Sequence, residues 1–197
     1  MTAAVHECGG LVGHDGGMRP AEGEVLHFSE DPTIREFVPR PSRTGGRPGP
    51  AYVWAVDESR TPSYWFPRQC PRAMAWRTPA STDHDVERIL GPGDTHRVHA
   101  IEYDWLDRLR TVRLFAYRLP AHLFTPIAEP EPHAQVATVT VRPLGPPVPV
   151  GDVLALHEAA RIQLRILPTL WPFWGSVITT SLGFSGIRLH HARPDHA

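Results

Sequence analysis

The chain has 197 residues, 41 % of them hydrophobic, a formal charge of −1 and two cysteines. That length suits one domain and that apolar share can fill a core, which excludes a disulfide-stapled mini-protein. A charge near zero argues against a broad polyanion-binding surface, so there is no strong nucleic-acid signal; a local basic pocket stays open, and all 20 basic residues are arginine.

Residues 1–23, rich in Gly, His and charge and without hydrophobic periodicity, read as a flexible N-terminal extension. A single domain is expected over 24–192, with 193–197 as a tail. Val25 to Ser29 suits a first strand. Asp31-Pro32 offers a cap followed by proline at a first helical position, which predicts a brief helix carrying Ile34 and Phe37. The stretch from Pro39 to Pro50, with Gly45-Gly46, predicts a loop. A strand is expected over Tyr52 to Val56, a helical turn from Pro62 through Phe66, and a strand from Ala73 to Arg77. Thr82 with Asp85 resembles a capping box for a helix through Leu90, closed by Gly91. Arg97 to Tyr103 reads as a strand, Asp104 to Arg110 as one or two helical turns, and Val112 to Leu119 as a strand before a turn over 120–126. Val136 to Val141 is β-branched, Asp152 can cap a helix over 153–161, and Ile162 to Ile166 alternates cleanly as a strand. Leu170 to Leu182 is partly helical and Gly183 to His190 a final strand. Strands and helices mix without regular alternation, so the class is α+β in one domain.

The richest segment runs from Tyr52 to Arg72, with five aromatics beside arginines. Aromatic faces next to guanidinium forks suit a flat anionic ligand. His27 and Ser29 form a polar pair on the first strand, and a histidine there can shuttle a proton or sit in the core bonded to backbone. Trp54 and Tyr64 offer stacking surfaces, or core packing. Arg68 and Arg72 flank Cys70; a phosphatase-like loop would need an arginine six positions after the cysteine, where Trp76 stands, so Cys70 reads as a structural thiol. Glu102 is an acid/base candidate or an ion-pair partner. The histidines lack the spacing and companions of a zinc site, so no metal is expected. The N-terminus shows no signal peptide and no run reaches the ~18 apolar residues of a membrane span, which predicts a cytoplasmic protein without a membrane partner.

Leu26-His27-Phe28-Ser29-Glu30-Asp31-Pro32, Phe66-Pro67-Arg68-Gln69-Cys70-Pro71-Arg72 and Phe184-Ser185-Gly186-Ile187-Arg188 together resemble a bacterial domain family of unknown function over roughly residues 24–192. More distantly, the chain resembles the ADP-ribosyltransferase-like fold, which implies a mixed or antiparallel split sheet. There His27-Phe28-Ser29 matches a His-Gly-Thr-type triplet, and Tyr52-Val53-Trp54-Ala55 matches an aromatic strand. Leu114 to Pro120 and Thr140 to Leu144 match two later strands. That resemblance implies NAD as a possible substrate, with His27 at a ribose and catalytic, Ser29 beside it in the cofactor site, Trp54 and Tyr64 on nicotinamide or a base, and Arg68 with Arg72 at phosphate. Phe28 departs from the small residue usual beside the histidine, and Gln135 and Thr138 lie where a catalytic carboxylate is expected. The rival expectation is a non-catalytic module for a small anion or a protein; a third is core and rim with no ligand.

Overall fold

The computed structural model describes residues 18–44, 47–127 and 134–194. Among them are β1 (Glu24–Ser29), β2 (Arg40–Thr44), β3 (Arg47–Ala55), β4 (Arg72–Trp76), α1 (Asp83–Leu90), β5 (Arg97–Glu102), α2 (Leu106–Thr111) and β6 (Phe115–Pro120). They are followed by β7 (Thr125–Ile127), β8 (Ala134–Ala137), β9 (Val148–Pro149), α3 (Val153–Ala159), β10 (Ile162–Leu167), α4 (Trp171–Val177) and β11 (Gly183–Ile187). The fold is mixed α+β in a single domain. Its strands form three sheets, ordered β1-β6-β9, β10-β5-β4-β11 and β2-β3-β8-β7. The first and third meet through a Leu26–Val56 bridge.

Local chemistry accounts for the helices. The Thr82 side chain accepts from the Asp85 peptide N–H and caps α1, and Gly91 ends it at φ 81°, where a side chain would be strained. Asp152 accepts from the peptides of Leu154 and Ala155 at the start of α3.

Two expectations change. No helix forms after Asp31: its carboxylate accepts from the peptide and hydroxyl of Thr33 in a tight turn, and Phe37 bridges Val141 instead. The turn is held further by Tyr117, whose hydroxyl donates to the Asp31 carbonyl and accepts from the Ile34 N–H. The proline-rich stretch after Pro39 is a β2–β3 hairpin, with β2 on a sheet edge where a missing N–H is tolerated; Gly45-Gly46 lies outside the described residues.

The sheet β10-β5-β4-β11 organises the rest. Val98 and Ala100 of β5 face α1, α4 and Leu170, while His99 and Ile101 face Trp65, Phe66 and α3. Met18, ahead of β1, is buried in the same cluster as Trp65 and Phe66. Beyond the last turn, the Arg193 peptide N–H donates to the buried Glu102 carboxylate, as does that of Leu170. No helix among the described residues is long and apolar enough to cross a membrane.

Candidate functional site

The side chains singled out by sequence fall into two groups. His27 stands on β1 opposite Tyr117, with Nδ1 2.7 Å from the Trp54 carbonyl and its ring 4.5 Å from Phe37. A carbonyl only accepts, so Nδ1 carries the proton and Nε2 holds the lone pair of the neutral ring. Burial lowers the His27 pKa against the opposing pull of that carbonyl, and the charges of Arg68 and Arg40 lower it further. Arg68 is exposed, its peptide N–H donating to Glu30, and Ser29 accepts from the Asp31 peptide.

Tyr64 and Arg72 form the second group. The Arg72 guanidinium lies 5.4 Å from the Tyr64 ring and 5.0 Å from Phe66. Arg72 is 3 % exposed, donating from Nε to the Ser63 carbonyl at 2.7 Å and from Nη1 to the Cys70 carbonyl at 2.9 Å. Burial brings its pKa down to about 10, so it stays charged at neutral pH. Burial also raises the Tyr64 hydroxyl, against the charges of Arg72, Arg188 and Arg60. Cys70 is wholly buried, and burial pushes its thiol up to about 12, leaving no thiolate for chemistry. Glu102 serves the backbone of Leu170 and Arg193 rather than an arginine side chain.

A different set of residues lines an open cleft of about 510 Å³. Its floor follows one cross-strand row of the sheet, Ile162, Arg97, Trp76 and Gly183. Guanidiniums of Arg60 and Arg97 lie 4.4 and 4.8 Å from the Trp76 ring. Arg19 and Arg77 add two more guanidiniums to the wall, and His96 lines it beside them. Asp57 builds the turn that delivers Arg60: its carboxylate accepts from the Ser59 hydroxyl and the Arg60 peptide. On the rim, Glu58 pairs with Arg19 and Asp83 with Arg77, and all four side chains are well exposed. Arg97 has no carboxylate partner among the described residues; one terminal nitrogen donates to the Ser59 carbonyl at 3.1 Å and its buried Nε–H is unpartnered. Burial, then the charge of Arg60, brings its pKa down to about 10.

Trp76 is seated by Gly183. A Cβ added there would lie 2.6 Å from indole Cε2, closer still to Nε1, and 2.9 Å from Thr78. Gly183→Ala is therefore expected to push the indole off the cleft floor, weakening the fold by about 1–2 kcal/mol as overpacking does. Urea melts with near-ultraviolet circular dichroism measure both effects; an unchanged tryptophan band would show that the indole does not depend on the glycine.

Behind the floor, the next row of the same sheet face carries His99, which meets His157 of α3 in a buried pair. His157 Nδ1 lies 2.6 Å from the Val153 carbonyl, and His157 Nε2 lies 3.0 Å from His99 Nδ1. The carbonyl fixes the proton on His157 Nδ1, so His157 Nε2 accepts, His99 Nδ1 donates, and His99 Nε2 is left with a buried lone pair that has no partner. Burial holds both rings below the ordinary histidine pKa, His99 well below. Phe66 packs on both imidazoles.

Sequence reading passed over this cleft because its parts are distant in the chain and meet only through strand register. Two basic side chains at strand ends, Arg77 after β4 and the imidazole of His96 before β5, are the available signal. His96 is the histidine near His99 in sequence, three residues away, whereas its partner in space lies fifty-eight residues on.

No curated protein and no solved structure is significantly similar to the chain. Residues 26–192, the span that contains most of β1, the cleft floor and the histidine pair, match a family of unknown function, DUF6886, and the chain belongs to that family.

Proposed function

We propose that this protein binds a small molecule bearing a phosphate or similar multiply charged oxyanion in the Trp76 cleft. The observation that carries this reading is Arg97. Its guanidinium meets a carbonyl and an indole face inside a cleft, its Nε–H is unpartnered, and a second guanidinium, that of Arg60, lies on the same indole. Like charges gathered without a carboxylate on Arg97 favour an anion that accepts from its planar fork. The cleft volume suits a nucleotide-sized ligand, for which ~300–1,000 Å³ is usual. A second groove of about 430 Å³, lined by Pro32, Pro143, Pro146 and Pro147, carries Arg35 as its charged group and offers no comparable convergence.

Tryptophan fluorescence and melting temperature, followed during titration with pyrophosphate, phenyl phosphate and NAD, test this. Binding that weakens with salt is expected, and Arg97→Gln should weaken it about ten- to a hundredfold, the worth of one or two charge-assisted hydrogen bonds. No response to any of the three ligands would overturn the reading.

A second reading keeps NAD as a substrate at His27. It is supported by the Trp54 hydrogen bond, which leaves His27 Nε2 as an acceptor on a partly exposed ring near the charge of Arg68. In that reading Nε2 accepts from a ribose hydroxyl and Arg68 meets phosphate. Nicotinamide release, lost in His27→Ala, is its expected signature; binding without release favours the non-catalytic module.

A further inference from the structure

The buried histidine pair and the cleft occupy adjacent rows of one sheet face. Arg97 is flanked by Trp76 and Ile162, and His99, two residues on along β5, is flanked by Met74 and Leu164. The side chains at 97 and 99 therefore point to the same side of the sheet. Arg97 presents an unpartnered buried donor and His99 an unpartnered buried acceptor.

Resting on the anion-binding reading above, we propose that an anion bound on Arg97 draws a proton onto His99, so that ligand affinity rises as the pH falls. The proton comes from solvent and adds to the Nε2 lone pair of His99. No hydrogen bond is broken by it: His99 Nδ1 continues to donate to His157, and His157 to the Val153 carbonyl. Protonation at His157 would instead set two N–H groups against each other, so the uptake site is His99.

The charged groups around the pair are few. From β5 Arg97 opposes a proton on both rings, from β4 Arg72 opposes one on His99, and from α3 His157 itself does so. The segment between Thr61 and Cys70 contributes the uncharged Trp65 and Phe66. Of these, Arg97 is the cation that reaches the cleft. Cancelling its charge with a ligand removes part of the penalty on His99, and by linkage a proton on His99 strengthens the ligand's attraction by the same factor.

His96 also lines the cleft and would by itself gain affinity for an anion on protonation. The test must separate the two, and it needs a probe that does not titrate. Sulfate serves, with chloride holding ionic strength constant. Histidine ring resonances of the full chain are followed against pH in His96→Asn, with and without sulfate, over the range in which the fold persists. The expected result is an upward displacement of the His99 titration by about half a pH unit, with the resonances of His122, exposed and not among the cleft-lining residues, unmoved by sulfate. Arg97→Gln should abolish the displacement. If sulfate perturbs the Trp76 indole resonance but leaves His99 where it was, the coupling is wrong while anion binding stands. If sulfate perturbs neither, both fail together.

Discussion

Arg72→Met should lower the unfolding free energy by about 3 kcal/mol while leaving the secondary structure recognisable. Arg72 donates to the carbonyls of Ser63 and Cys70, one on each side of the Pro67 turn, and its guanidinium lies on the rings of Tyr64 and Phe66. Methionine fills similar space but donates nothing, so two carbonyls lose their partner at roughly 1–3 kcal/mol each. Removing the cation recovers part of this, because burying a charge without a carboxylate is itself costly. The balance still favours arginine, since both the strong donors and the aromatic contacts are lost at once. Urea unfolding with an unchanged slope checks it. A loss under about 1 kcal/mol would mean that the carbonyls find water, and that the Arg72 guanidinium is replaceable within the fold.

Stability is expected to fall steeply as the pH drops from about 6.5 to 5.5. The folded protein holds His99 and His157 neutral because burial lowers the pKa of each, whereas the unfolded chain takes up protons below about 6.5. A lowered folded-state pKa gives stability that is complete above the unfolded value and is lost as the pH falls toward the folded one. Each ring contributes up to about 1.4 kcal/mol per pH unit in that window, so the pair approaches roughly 3 kcal/mol per unit. His27, shifted the same way, adds in the same direction. Melting temperatures at pH 7 and 5.5 measure the effect, and a flat profile would show that the pair is not held neutral. A stabilising anion should blunt the acid loss through His99, not through His157.

What the sequence made legible was whatever its local chemistry decides. The α1 helix between Thr82 and Gly91, the α3 cap at Asp152 and the alternating β10 strand were readable because cap, period and stop lie within a dozen residues. The Asp31 turn was misread because a carboxylate that can cap a helix can equally close its own turn, and the deciding partner, Tyr117, is far along the chain. The Arg40–Ala55 hairpin was hidden by prolines that an edge strand tolerates. The Tyr52–Arg72 segment drew attention for its arginines and aromatics, yet its arginine at position 72 faces inward, while Arg60, passed over within the same stretch, lies on the indole that roofs the sheet row. Register, which no local pattern reveals, is what joins Arg97 to Trp76 and sets His99 behind them.

The Glu102 carboxylate has a consequence for how the C-terminal part of the chain behaves. By accepting from the peptides of both Leu170 and Arg193 it closes the segment containing α4 and β11 into a ring, tied at its two ends to one buried side chain. Such a tie restricts the segment much as a crosslink would, yet it forms with folding and is indifferent to reductant. Helix α4 and strand β11 should therefore open together, as one cooperative unit, rather than fray inward from the terminus.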